Sequence, residues 1–281
     1  MHGRPWIHST EVLNSESNET MTDTQRVTAA ALVIGNEILS GRTKDANLPF
    51  LGAELNKLGI QMLEARVVAD IESEIIEALD ILRAKYDYVF TTGGIGPTHD
   101  DITAGCVAKA FGQKLIRHPE AERILRERMA EMGVEATEAR LKMAETPEFA
   151  DLVDNPISGA PGFQVENVFV MAGVPRIMQA MFEAAKPGLR RGVTLISVTV
   201  GSYVPEGAIA TELSLLQDAY PDLDIGSYPF FFDGKPGSNL VMRGPDQARL
   251  DEAALRLGDL IRNLGAEPVT GGIEVPKSND D

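Results

Sequence analysis

The sequence predicts an α/β protein with a mostly parallel sheet, followed by a small α+β unit. Three observations carry this. Short apolar runs rich in Val, Ile and Ala alternate with helical-period runs from Val27 to Phe111. Glycine or acidic turns close those apolar runs at their carboxyl ends. A second, differently ordered pattern of strands and helices begins near Arg191.

Val27 to Ile34 is apolar, stops at Gly35 and reads as a buried strand. Asp45 to Leu58 reads as a helix: Leu48, Leu51, Leu55 and Leu58 recur at helical spacing, Asp45 suits the N-cap and Gly59 ends it. Pro49 falls in the first turn, where N–H groups lack partners anyway. Met62 to Val68 is the next strand, and Asp70 is placed to cap a helix with Ile71, Ile75, Leu79 and Leu82 on one face. Tyr88 to Thr92 is the third strand, and Ala104 to Phe111 the helix after it. This order implies parallel strands joined by right-handed crossovers.

Pro119 to Met132 and Thr137 to Ala144 read as charged helices, and Pro147 to Phe163 as a loop region rich in turn signals. Val165 to Ala172 is apolar apart from Glu166-Asn167, and Pro175 to Ala185 is a helix ended by Pro187-Gly188. In the second pattern Val193 to Val200 is a strand, Glu206 to Ala219 a helix and Asp224 to Phe232 a strand. Asp233 to Gly237 is a turn, Asn239 to Met242 a strand and Asp246 to Leu264 a long helix. The resulting division is a disordered leader at 1–25, a first domain at 26–190, a second at 191–270 and a disordered tail at 271–281.

The 281 residues carry a formal net charge of −16. That argues against non-specific nucleic-acid binding and against an anionic membrane surface. No apolar run approaches the ~18 residues of a membrane helix. No apolar h-region marks a signal peptide. With Cys106 as the one cysteine, no intramolecular disulfide forms. The expectation is a cytoplasmic protein.

The most informative stretch is Thr91-Thr92-Gly93-Gly94-Ile95-Gly96-Pro97-Thr98-His99-Asp100-Asp101-Ile102-Thr103. It lies between a strand and a helix. A glycine-rich turn there exposes backbone N–H groups at a helix N-terminus, a ready anion site. It is neither the dinucleotide G-x-G-x-x-G nor a P-loop, because it lacks the Lys-Ser/Thr ending. A plain structural alternative exists: a capping box with Thr98 at the N-cap and Asp101 at N3. Capping needs one aspartate at most.

Asp100 and Asp101 are hard oxygen ligands suited to Mg²⁺ or Mn²⁺. Consecutive helical side chains diverge by ~100°, so one would bind a cation while the other caps. The residues alone do not choose between them. Asp70, Asp45 and Asn47 lie at strand ends, where ligand crevices form, and equally suit capping. Glu37 lies beyond the first strand and would join a metal shell or stay solvated. His99 is the sole histidine near the turn and a weak candidate for a general base. Cys106 reads as a small core group.

The glycine–aspartate stretch resembles the signature of the molybdopterin-binding (MoaB/Mog) domain family, above all the N-terminal domain of CinA-type competence/damage-inducible proteins. The molybdopterin-like domain of eukaryotic FAD synthase is similar. Gly35-Asn-Glu-Ile-Leu-Ser-Gly41, Asp45-x-Asn47 and Val68-Ala-Asp70 look like the family's first- and second-strand motifs. Ala160-Pro-Gly-Phe163 and Ala172-Gly-Val-Pro175 look like its later loops. Ile225-Gly-Ser-Tyr-Pro229 looks like the small KH-like domain that follows in CinA-type chains.

The resemblance implies a three-layer α/β/α, MoaB/Mog-like domain that binds a pterin or nucleotide phosphate. It implies Asp101 and Asp70 as catalytic residues. Thr92, Gly93, Gly94, Gly96, Pro97, Thr98, Thr103, Asp45 and Asn47 would bind the ligand, and Asp100, Asp101 and Glu37 a divalent metal (Mg, Mn or Co). The expected activity is metal-dependent cleavage of an ADP-ribose- or FAD-like pyrophosphate. The alternatives are a non-catalytic molybdopterin-binding module and a molybdopterin adenylyltransferase. The family's symmetry leads us to expect a homo-oligomer, a dimer or a trimer. Two departures stand out: Asn36 occupies a position where the family usually has Asp, and no amidase-like segment follows.

Overall fold

The computed structural model describes residues 26–276; the expected leader and residues 277–281 lie outside them. The chain opens with β1 (Val27–Ile34), a one-turn helix α1 (Asn36–Leu39), α2 (Asn47–Lys57), β2 (Ile60–Val68), α3 (Glu72–Lys85), β3 (Tyr88–Thr92) and α4 (Thr103–Ala110). A side excursion follows: β4 (Leu115–Arg117), α5 (Pro119–Glu131), α6 (Glu138–Leu141) and β5 (Glu145–Pro147). The chain then returns through β6 (Asp151–Val153), β7 (Gly162–Val165), β8 (Val168–Met171) and α7 (Pro175–Ala185).

The main sheet has the order β2-β1-β3-β8-β7-β6. β2, β1, β3 and β8 run parallel; β7 runs opposite to them, and β6, antiparallel to β7, runs with them again. The period-2 alternation of a strand decides the layers. Ala30, Leu32 and Ile34 of β1 face α3 and α4 through Ile75, Leu79, Leu82, Cys106 and Val107. Val27 and Ala29 face α2 and α7 through Leu51, Leu55, Met178 and Phe182. Phe90 of β3 stacks on Phe169 of β8 at 5.3 Å between centroids and meets Phe182 edge-on at 5.7 Å. The result is the three-layer α/β/α arrangement, with β1 and β3 at its centre.

The second unit holds β9 (Ile196–Ser202), α8 (Glu206–Ala219), β10 (Asp224–Phe232), β11 (Lys235–Gly244), α9 (Gln247–Asn263) and β12 (Val269–Thr270). Its antiparallel sheet, β10-β11-β9-β12, carries both helices over Val200, Leu240, Met242, Leu250 and Leu257. Between the units Gly192 donates to Leu58 O at 3.1 Å, and Arg190 pairs with Asp87 at 2.6 Å. Gly59 and Gly192 press together so closely that a Cβ on either would lie 2.3 Å from the other's carbonyl oxygen.

Several expectations need correction. Asp70 does not cap its own helix: α3 starts at Glu72, and the Asp70 carboxylate accepts the Asn36 N–H at 2.9 Å across two strand ends. The helix after the glycine turn does not begin at Thr98, because Asp101 closes a separate turn on that residue and α4 starts at Thr103. The run from Val165 to Ala172 is a hairpin. Glu166-Asn167 form its two-residue turn, with Glu166 at φ 49°. The presumed loop from Pro147 to Phe163 contains β6. The turn expected at 233–237 is only Asp233-Gly234, because β11 starts at Lys235. Residues 271–276 are not a free tail: Ile273 exchanges two hydrogen bonds with the Asn239 side chain. Asp45 stands one residue outside α2 yet still caps it, accepting from Asn47 N at 3.3 Å and Leu48 N at 2.8 Å. Among the described residues no helix is long and apolar enough to cross a membrane.

Candidate functional site

The carboxyl ends of β1 and β3 mark the point where the sheet order reverses, because the chain goes from β1 outward to β2 and then back past it to β3. Ligand crevices form at such a point. The turn leaving β3 is shaped by glycines for packing reasons. Gly93 has φ +103°, and a Cβ there would lie 2.1 Å from Ile34 O. Gly94 has φ +68°, and its Cβ would lie 2.1 Å from Thr103 Oγ1. A Cβ at Gly96 would lie 2.6 Å from Asp101 Oδ2. Close backbone approach and positive φ account for Gly93, and positive φ beside the Thr103 hydroxyl accounts for Gly94, without a ligand; at Gly96 the crowding atoms belong to the Asp101 carboxylate itself.

What packing does not account for is the run of N–H groups that this turn leaves free. Gly93 N donates to Met171 O at 3.1 Å, so it is unavailable to a ligand. Among the described residues the N–H groups of Gly94, Ile95 and Gly96 find no acceptor. Three consecutive free donors in a glycine turn form an anion-binding nest.

Asp101 stands beside that nest in a fixed pose. Its Oδ2 accepts from Thr98 N at 2.8 Å and Thr98 Oγ1 at 2.5 Å, leaving Oδ1 without a donor among the described residues. Lys142 reaches in from the side excursion to donate to Thr98 O. The Thr98 hydroxyl above all, then its own amide and the charges of His99 and Lys142, lower the Asp100 carboxyl below the usual range. Asp100 is therefore a fixed negative charge at neutral pH.

Two recesses flank the turn on opposite faces of the sheet. On the α3/α4 face lies a cleft of about 290 Å³ with Gly94, Ile95, Gly96 and Asp101 at one end. Ile102, Leu115, Met143 and Phe163 make its apolar walls, and Lys109 and Lys142 add positive charge. Lys109 is paired with Glu72 at 2.5 Å at the rim. On the α2/α7 face lies a crevice of about 50 Å³ lined by Glu37, Lys44, Asp45, Asn47, Thr92 and Gly173. Gly93 separates Thr92 of the crevice from Gly94 of the cleft along the chain, and a Cβ on Gly173 would lie 3.3 Å from its Cα.

The expected residues thus divide. Gly94, Gly96 and Asp101 share the cleft; Thr92, Asp45, Asn47 and Glu37 share the crevice. Thr103 is fully buried, and its hydroxyl donates to Gly93 O at 3.0 Å, so it braces the turn and faces neither recess. Pro97 and Thr98 are exposed and line neither recess, with Thr98 serving to hold Asp101. The His99 side chain is 98% exposed, its Nδ1 4.0 Å from the Asp100 carboxylate, and it lines neither recess. Burial pushes the Cys106 thiol up to about 11, which suits a core group and not a nucleophile. The two lysines of the cleft went unnoticed in the sequence. Lys142 lies 44 residues from the carbonyl it holds, and no local pattern signals such a contact.

Glu37, Asp100 and Asp101 do not form one ligand set. Glu37 lies in the crevice, Asp101 in the cleft, and Asp100 is exposed. Among the described residues no three Asp, Glu, His or Cys side chains converge. The donor set still fits a hard cation of the Mg²⁺ type. Such ions take one or two carboxylates and complete their shell with phosphates and water. Asp101 Oδ1 beside a phosphate nest meets that description.

Comparison with known proteins places the fold in a family. The family described as "Probable molybdopterin binding domain" matches residues 30–191. The family described as "FAD synthase, middle domain" matches residues 194–267. A protein of Pyrobaculum calidifontis is 38% identical over 212 residues, which is 72% of this chain and 80% of that protein. One from Archaeoglobus fulgidus is 32% identical over 232 residues, 82% of this chain and 96% of its own length. A CinA-like protein of Gloeobacter violaceus is 39% identical over 168 residues, which cover 58% of this chain and 39% of that protein. The crystal structure of CinA from Thermoplasma acidophilum, described as of unknown function, is 34% identical. It covers 58% of this chain and 98% of its own, with a TM-score of 0.54.

Proposed function

The chain belongs to the family described as probable molybdopterin binding domains, and from that premise we propose that it hydrolyses the pyrophosphate bond of an ADP-ribose- or FAD-like dinucleotide. The observation that carries the reading is the nest of free N–H groups at Gly94, Ile95 and Gly96 beside the fixed carboxylate of Asp101. The nest holds phosphate oxygens as successive backbone donors. Lys142 offsets part of the diphosphate charge; Lys109 is taken up by Glu72, and Glu145 also lines the cleft, so a divalent cation would offset the rest.

In the reaction a water oxygen forms a new bond to one phosphorus. The bridging P–O bond breaks, and the second phosphate leaves with the bridging oxygen. A divalent cation held by Asp101 Oδ1 and the ligand's own phosphate oxygens would neutralise the charge that grows there and activate the water. The protein's part is positioning. Thr98 fixes Asp101, Thr103 fixes the turn, and Asp70 holds the Asn36 loop at the neighbouring strand end by accepting its N–H. Asp70 acts in this reading through that loop.

The test is AMP release from a panel of dinucleotides with Mg²⁺, Mn²⁺ or Co²⁺. Asp101→Asn keeps an acceptor for the Thr98 N–H, so the turn stays closed while the charge is lost. We expect turnover to fall about 100-fold, equivalent to about 2.7 kcal/mol of barrier. Unchanged turnover in that variant would refute the assignment. A second reading, a non-catalytic binder of molybdopterin or a related pterin, is favoured by the dispersal of Glu37, Asp100 and Asp101 over separate places. It predicts silence across the panel and a pterin that copurifies with the protein. In either reading we expect a symmetric homo-oligomer, to be checked by light scattering.

A further inference from the structure

The smaller crevice carries two buried polar atoms that the fold does not satisfy. Asn47 is 4% exposed and Thr92 is 1% exposed, and both line it. Asn47 Nδ2 donates to Gly173 O at 2.8 Å, a bond that fixes the amide's orientation because a carbonyl requires a donor. Among the described residues Asn47 Oδ1 is then left as a buried acceptor with no donor, and Thr92 Oγ1 has no partner. Leaving such groups unpaired costs about 1–3 kcal/mol each. The Glu37 carboxylate, another of the lining groups, is also an acceptor. The crevice therefore asks for a group that donates.

We propose that it takes the hydroxyl-bearing sugar on the distal side of the diphosphate, the ligand straddling Gly93 with its two ends on opposite faces of the sheet. This rests on the reading that a diphosphate sits on the turn. Size separates the ends. A volume of about 50 Å³ admits a pair of hydroxyls, a water's share of liquid being roughly 30 Å³. The apolar cleft of about 290 Å³ on the other face has walls for a flat heterocycle. A sugar diol supplies two donors to Asn47 Oδ1 and Glu37 while Thr92 Oγ1 donates or accepts as needed. No metal enters this argument.

Thr92→Val tests it. The change is isosteric and removes a buried hydroxyl that has no partner, so the fold tolerates it. Calorimetric titration compares ADP-ribose, ADP and inorganic pyrophosphate on both proteins, without divalent metal so that nothing is cleaved. ADP-ribose binding should weaken about 10-fold in the variant, while ADP and pyrophosphate bind as before. Thr92→Ser should restore the lost affinity. Equal weakening of all three ligands overturns the proposal, because the hydroxyl would then be supporting the turn. Equal binding of ADP-ribose to both proteins also overturns it, since the crevice would hold only water. If wild-type protein binds none of the three, the diphosphate reading fails and takes this one with it.

Discussion

Asn47 and Asn239 are the same residue in two contrasting situations. In the second unit Asn239 uses both ends of its amide on Ile273, donating at 3.0 Å and accepting at 2.8 Å. Gln217 likewise donates to Tyr220 O and Leu223 O and accepts from Ile225 N. At the strand ends of the first unit, Asn47 donates once and keeps a buried acceptor open. An amide with a purely structural role closes all its bonds, because an open one is costly in a buried place. Openness next to a recess therefore marks a place kept for something else. The Ser227 and Ser238 hydroxyls of the second unit are also unpartnered, but they line neither recess, and openness without a recess marks nothing.

The harshest way to break the contrast is Gly93→Ala, which strikes the backbone between Thr92 of the crevice and Gly94 of the cleft. The new Cβ would lie 2.1 Å from Ile34 O at φ +103°. Strained φ and a backbone clash together should cost at least ~3 kcal/mol. Chemical denaturation should show that loss, and a wild-type midpoint would mean the turn is not held as described. Asn239→Ala comes next. It should cost about 1–2 kcal/mol through the two lost bonds and expose residues 271–276 to proteolysis, yet leave ligand affinity untouched. Weakened ligand binding in that variant would dissolve the distinction between a structural and a ligand-facing asparagine.

The smallest effect is confined to the edge strand of the first unit. Lys85 above all, then Tyr86 and Arg66, lower the Glu64 carboxyl from 4.5 to about 2. Its contribution is therefore present above pH 4.5 and is lost as pH falls toward 2. Glu64→Gln should lower the melting temperature slightly at pH 7, where the contribution is present, and converge on wild type as pH falls toward 2, so that the acid limb flattens over that window. An unaltered acid limb would remove Glu64 as its source.

The elements that depend on local pattern were legible in the sequence. Tyr88–Thr92, Pro175–Ala185, Glu206–Ala219 and Asp224–Phe232 have the bounds their periodicity predicts. What periodicity cannot see is a competing partner elsewhere. Asp70 suited a helix cap, but Asn36 N, 34 residues away, took its carboxylate. Thr98 and Asp101 suited a capping box, and their mutual bond does form, but on a turn that ends before the helix starts. The glycine turn was legible as a place, but which of its N–H groups stay free was not, because Met171 O takes the Gly93 N–H from a strand far away in the chain. The division of the site into two recesses was invisible, because it follows from which face of the sheet each residue occupies.

The junction at Gly59 and Gly192 bears on communication between the units. Leu58 and Asp87, which hold the departing chain, precede β2 and β3. The chain thus leaves the first unit at the amino ends of the parallel strands, while both recesses lie at the carboxyl ends. At ~3.3 Å per residue, the five residues of β3 put ~17 Å of sheet between them, and the nine of β2 put ~30 Å. A ligand's arrival can reach the second unit through the tether only by displacing whole strands lengthwise. The packed aromatic layer of Phe90, Phe169 and Phe182 resists that displacement, so the tether insulates one unit from the other.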